Sequence, residues 1–254
     1  MLKLTKYEFR KNRTLLIIFG IGLILLQIYF MVSTSSGDDE HTIISSMLLF
    51  TYLMVCYFSV FMLAISSYSK ELNSKSSYLI FMTPNSALKI ILSKMLTILI
   101  MGIVLLILVC TLGYFDISMI LDAYPNVGTI AEFFDEMMYI LGINTNQLII
   151  SIFASVLRFI ISFFSIVTLA YLSITLSATL LQNNKLKGLV SFVIFIALSY
   201  LISFFSNMLP YPYSDPENVL YVLISTLPVT IFNMVIMIAS IIGCSILLEK
   251  KVSL

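Results

Sequence analysis

Charge is what this sequence has least of. Only 11% of its 254 residues are Asp, Glu, Lys or Arg, while 60% are hydrophobic and the mean hydropathy is +1.06. Soluble domains carry roughly 25% charged residues, so a soluble fold would lack the side chains to cover its surface. The net charge of +1 excludes nucleic-acid binding through bulk attraction, and the position of each charge matters more than the total. The three cysteines, Cys56, Cys110 and Cys244, lie inside apolar runs without C-x-x-C spacing, which reads as packing and not as a disulfide or metal set.

Several catalytic patterns are also missing. There is no G-x-x-x-x-G-K-[ST] motif, so the chain has no loop of its own to cradle the phosphates of ATP. No Ser-His-Asp set or pair of carboxylates shares a helical face within the apolar runs, which argues against an intramembrane hydrolase. Gly20 and Gly22 follow no strand and read as packing glycines, not a dinucleotide fingerprint. His41 is the one histidine and stands beside Asp38, Asp39 and Glu40; adjacent loop residues point in different directions, so no metal is expected there. The expectation is a chain that is not itself an enzyme and holds no cofactor.

What the sequence does have is long apolar runs, at 15–32, 43–65, 96–114, 147–181, 189–205 and 219–248. About 20 apolar residues, rising ~1.5 Å each, cross a hydrocarbon core of ~30 Å. The runs predict an all-α polytopic membrane protein with six transmembrane helices, at about 15–32, 43–65, 96–114, 158–181, 189–205 and 228–248. The first run follows a basic lead, as in a signal peptide, but exceeds the ~7–15 apolar residues of a signal core and reads as a retained span. In that lead, residues 1–13, Lys3, Lys6, Arg10 and Arg13 share one helical stripe flanked by Leu2, Leu4, Tyr7 and Phe9. Two readings stand: a short interfacial helix at the headgroups, or a basic flank that only orients the first span.

The charges sort by side. Thirteen of the fourteen Lys and Arg residues fall before the first span, between the second and third, between the fourth and fifth (Lys185, Lys187) or after the sixth (Lys250, Lys251). The alternate segments contain Asp38, Asp39, Glu40, Asp116, Asp122, Glu132, Asp135, Glu136, Asp215 and Glu217 and no basic residue. Lys and Arg are retained on the cytoplasmic face. Both termini are therefore expected in the cytoplasm of a multi-pass protein of the cell membrane.

Two runs are irregular. The fourth overshoots a bilayer, so its beginning should project outward or break. Within it Ser151, Ser155, Arg158, Ser162 and Ser165 form an intramembrane polar stripe at steps of three and four, the mark of a surface packed against other helices. Arg158 reads either as an interfacial anchor or internal ion pair, or as a contact to an anionic part of a transported molecule. In the last run Pro228 is expected to interrupt the helix, leaving 219–227 as a piece that dips into the outer leaflet before the final span. The longest outer segment, 115–146, contains the stretch AEFFDEMMY; it reads as a solvated cap over helix ends, or as a gate or receptor for a cationic peptide.

The segment 66–95 is the one sizeable polar stretch on the basic side. It holds Lys70, Lys75, Lys89 and Lys94 against a single acid, Glu71, with Leu72, Tyr78 and Pro84 in its middle. The run SKELNSKSSYLIFMTP, a short polar turn, and ALKIILSKML entering the third span resemble the cytoplasmic loop of ABC-2 type permeases, the membrane subunits of one class of ABC exporter. The lead KYEFRKN, six spans with both ends inside, an interrupted stretch before the last span and the ending LLEKKVSL fit the same resemblance, with TPNSALKIILSK its most specific part. Among these permeases the chain looks most like the compact ones of peptide-antibiotic resistance and lantibiotic immunity.

The resemblance implies that residues 1–254 are one ABC-2 type transmembrane domain. It implies partners: a separate dimer of ATP-binding subunits carrying ATP and Mg, a second permease half, identical or paralogous, and membrane lipid. Residues 66–95 become a coupling loop, with the helix around Lys70, Glu71, Leu72, Lys75 and Tyr78 inserting into a groove of the ATPase, and Pro84, Lys89 and Lys94 on its return. Glu71 is then a polar anchor that fixes register, or else pairs with Lys70 or Lys75 in solvent. The implied function is ATP-driven export or extrusion of an amphipathic substrate such as an antimicrobial peptide, drug or lipid. The alternative is a six-span sensor or scaffold that binds an antimicrobial peptide without transport.

Overall fold

The computed structural model describes residues 2–73, 86–123, 145–180, 186–209 and 219–252, together with Glu132, Asp135, Met138 and Tyr139. The elements formed are α1 (Leu2–Lys11), α2 (Arg13–Ser36), α3 (Asp39–Asn73), α4 (Ala87–Ala123), α5 (Thr145–Leu180), α6 (Lys187–Asn207) and α7 (Val219–Val252), with no strand among the described residues. Each of α2 to α7 contains a stretch long and apolar enough to cross a membrane. The chain is thus all-helical and compatible with a multi-pass membrane protein.

These helices turn apolar side chains outward, as Ile17, Ile21, Ile24, Leu25 and Ile28 do along α2. A helix that is apolar nearly all round suits lipid and not water. Hydroxyls are accommodated within each helix by bonding back to its own carbonyls: Thr34 to Phe30, Thr51 to Met47, Ser59 to Val55 and Thr111 to Ile107. No water is then needed to satisfy them.

Several helices outrun the spans read from the sequence. At ~1.5 Å per residue the 35 residues of α3 extend about 52 Å and the 37 of α4 about 55 Å, well beyond a ~30 Å core. Helix therefore continues through 66–73 and covers 87–95, so both ends of the predicted 66–95 loop are helical, and residues 74–85 lie outside the described residues. Likewise α4 continues to Ala123 into the predicted outer segment, and α5 is unbroken from Thr145.

Pro228 requires a correction. The chain is helical from Val219 to Val252 with Pro228 inside it, so 219–227 is not a separate piece. Proline removes one N–H donor and crowds the preceding turn, but the neighbouring bonds hold, and the Thr230 hydroxyl donates to the Thr226 carbonyl at 2.9 Å. Membrane helices tolerate an interior proline through such local compensation.

The chain forms two compact units: Met1–Leu63 with Leu96–Leu141, and Ala64–Met95 with Gly142–Leu254. In the first unit, α2 ends where Gly37 takes φ 68°, a left-handed cap whose N–H bonds the Thr34 carbonyl. Asp38 then opens α3, its carboxylate accepting from the His41 N–H at 3.3 Å, and Asp39 and Glu40 complement the positive end of the helix dipole. The resulting α2–α3 hairpin is held by Ser33 and Ser45, whose hydroxyls meet at 2.9 Å, and by Tyr52, whose hydroxyl donates to the Phe19 carbonyl at 3.0 Å. That approach crosses Gly22, where a Cβ would collide with the Tyr52 ring and hydroxyl.

In the second unit α5 is the central helix and packs against α6 and α7. It buries Phe164, Val167, Thr168, Tyr171 and Ala178, and α7, which packs against it, buries Ser240, Cys244 and Leu248 at steps of four. Small residues permit the approach, and a Cβ at Gly243 would stand 3.1 Å from Leu172 Cδ1. Asn233 Nδ2 adds an interhelical bond to Ser162 Oγ at 3.4 Å, and the Ser177 hydroxyl donates to the Lys187 carbonyl at 2.6 Å where α5 gives way to α6.

Candidate functional site

The end of α3 and the start of α4, both in the second unit, flank the middle of the polar segment singled out in the sequence. On α3, Ser67 and Glu71 are four residues apart and share a face. On α4, Ala87, Ile90, Ile91 and Met95 are buried, and Lys94 is buried with them, with 3% of its surface exposed. Lys94 Nζ lies 2.7 Å from Glu71 Oε2 and donates to Ser67 Oγ at 3.3 Å. The Lys94 and Glu71 side chains are 4% and 15% exposed, so this is a largely desolvated ion pair. Such a pair is held by geometry: removing one partner leaves an uncompensated charge and costs about 3–5 kcal/mol.

One turn before Glu71, Tyr68 sits at 2% exposure and stacks on Tyr171, with ring centroids 4.1 Å apart and planes 22° apart. Its hydroxyl meets Thr175 Oγ1 at 2.7 Å, and Thr175 in turn donates to the Tyr171 carbonyl at 2.7 Å. The Tyr171 hydroxyl donates to the Ala64 carbonyl at 3.3 Å, and Cys244 Sγ lies 3.8 Å from Thr175 Oγ1. A chain of polar contacts thus fastens the last three turns of α3 to α5, with α7 closing one side. Buried hydroxyls satisfied in this way set the rotation and register of the helices they join.

The predicted coupling residues divide by position. Lys70 and Lys89 are exposed, Leu72 is buried, and Glu71 and Lys94 form the pair just described. Lys75, Tyr78 and Pro84 lie outside the described residues, as does Lys185. Of the polar stripe on α5, Ser165 is buried and Ser162 accepts the bond from Asn233, Ser151 is half-buried, and Ser155 and Arg158 are exposed.

Tyr68, Tyr171 and Thr175 were not legible as a site, since a tyrosine near the end of an apolar run reads equally well as an interfacial anchor. Gln27 was legible in principle: it is the only amide in the run 15–32. It is buried, and its Nε2 donates to Asp116 Oδ1 of α4 in a close contact within the first unit. Near this unit's α2–α3 turn, Tyr29 Oη lies 3.0 Å from His41 Nδ1, and His41 Nε2 lies 3.9 Å from Asp38 Oδ2. Among the described residues no group of three or more His, Cys, Asp or Glu side chains is arranged to hold a metal ion.

No family model, curated protein or solved structure matches the chain.

Proposed function

We propose that this chain is the membrane subunit of an ABC exporter of the ABC-2 type, working with a separate pair of ATP-binding subunits and a second permease half. What supports the reading is the construction at the base of the polar segment. A push on the segment between Asn73 and Ala87 meets a buried ion pair, Glu71 to Lys94, and a polar anchor at Tyr68 one turn away. The continuous helices α3 and α4 then carry the displacement toward the spans, because a helix transmits force along its axis while a flexible loop absorbs it.

The finer topology belongs to the same proposal. Both termini lie in the cytoplasm of a cell-membrane protein, following the one-sided distribution of Lys and Arg. α1 lies in the interface: Lys6, Tyr7 and Arg10 are exposed while Thr5 and Glu8 are buried, a two-faced helix suited to anionic headgroups. ATP and Mg act on the partner, and the cargo is an amphipathic peptide, drug or lipid.

Purification of the tagged chain from its native membrane in mild detergent tests the reading. The expected result is co-purification of a protein with a phosphate-binding loop and, after reconstitution, ATP-dependent efflux. A six-span sensor would bind peptide with no such partner and no efflux. Single cysteines placed at 74–85 should react with a membrane-impermeant thiol reagent only in inverted vesicles; reaction from outside intact cells would overturn the topology.

A further inference from the structure

In the first unit, Gln27 on α2 is 6% exposed, and its Oε1 is a buried side-chain oxygen with no hydrogen-bond partner, whereas its Nε2 donates to Asp116 Oδ1 on α4. An orphaned acceptor of this kind costs about 1–3 kcal/mol. Beside it stands a carboxyl group that is half-buried and has a second oxygen to offer.

The charge around the pair deepens the problem. Beyond Arg13 this unit contains no Lys or Arg. Arg13 is fourteen residues from Gln27 along α2, about 21 Å of helix rise. Within this unit the other charged groups of α3 and α4 and of the turn before α3 are Asp38, Asp39, Glu40 and Asp122, all acids, and His41 is engaged by Tyr29 and Asp38. Within this unit an ionised Asp116 would have no Lys or Arg to meet it beyond those of residues 1–13.

We propose that Asp116 and Gln27 form a proton-binding site. The ligand is one proton on the second carboxyl oxygen of Asp116. As the neutral acid, Asp116 donates O–H to Gln27 Oε1 while its carbonyl oxygen accepts from Gln27 Nε2. One proton removes both defects: the orphaned acceptor gains a donor, and the uncompensated charge disappears. Turning the amide over leads to the same requirement, since it would set two oxygens against each other that only a proton joins. Loss of the proton opens one of the two bonds, so the α2–α4 contact has a closed neutral state and a looser ionised one. This inference is independent of any exporter role.

Infrared spectroscopy of the full-length protein in lipid vesicles at neutral pH tests it. The expected result is a carbonyl band of a protonated carboxylic acid that shifts in D2O, disappears in Asp116→Asn and persists in Asp122→Asn. Asp116→Asn should fold with unchanged thermal stability, because its amide makes the same two-point pair without a proton. Should that variant fail to fold, Gln27→Leu provides the second reading: the acid loses its hydrogen-bond partner and the band moves to higher frequency. Absence of an acid band in the natural sequence, or its survival in Asp116→Asn, would overturn the proposal. So would a band that appears only when sodium and potassium are removed, which would assign the site to a metal cation.

Discussion

Lys94 and Glu71 are 94 − 71 = 23 residues apart in sequence and 2.7 Å apart in space, with Lys94 almost wholly buried. Both belong to the polar segment whose composition alone suggests a solvated loop. Breaking this pair from one side, as in Glu71→Ala or Lys94→Met, should destabilise the protein by about 3–5 kcal/mol. The double replacement Glu71→Met with Lys94→Met should recover most of that loss, because no buried charge is then left alone. Thermal unfolding in detergent checks the cycle, and additive effects of the two single changes would show that the pair is not coupled.

Tyr68 and Tyr171 offer a test that separates ring from hydroxyl. Tyr171→Ala removes a fully buried ring and should cost about 3–5 kcal/mol. Tyr68→Phe keeps the stack and forfeits only the bond to Thr175, about 0.6 kcal/mol on the scale measured for bonds between membrane helices. Equal losses in the two variants would mean that packing at this site is not what the stability measurement reports.

Gly22 and Gly20 are two residues apart on α2, yet a Cβ at Gly20 meets nothing within 4 Å while one at Gly22 meets Tyr52. Gly22→Ala should therefore displace the Tyr52 hydroxyl from the Phe19 carbonyl and cost about 1–3 kcal/mol, as overpacking does. Gly20→Ala should be neutral or slightly stabilising. Adding Tyr52→Leu to Gly22→Ala should relieve the clash, and the folded fraction after mild heating reads all three.

Pro228→Ala should leave α7 helical and add one backbone bond. Amide hydrogen exchange is the measurement: residue 228 gains a protected N–H, and its neighbours from Thr226 to Thr230 exchange more slowly. Faster exchange in that turn would mean that the proline ring itself holds the local geometry.

Much of this architecture is legible in composition. The apolar runs locate the six long helices, because hydrophobicity over about 20 residues is a local property that needs no knowledge of neighbours. Their ends are less legible: α3 and α4 continue into polar sequence since Ser, Lys and Glu do not stop a helix and no proline or glycine intervenes before Asn73. Pro228 misleads in the opposite direction, since a strong local breaker is overruled by the turns around it.

Sequence alone determines that the chain is helical, that its helices are suited to lipid, and that its basic residues gather in alternate segments; each follows from the chemistry of contiguous residues. Only the tertiary structure decides that Glu71 meets Lys94, that Tyr68 lies on Tyr171, and that Gln27 turns to Asp116. Those choices depend on the rotation and relative height of helices packed side by side. A turn of 100° per residue moves a side chain from one neighbour to another without changing anything in the local pattern.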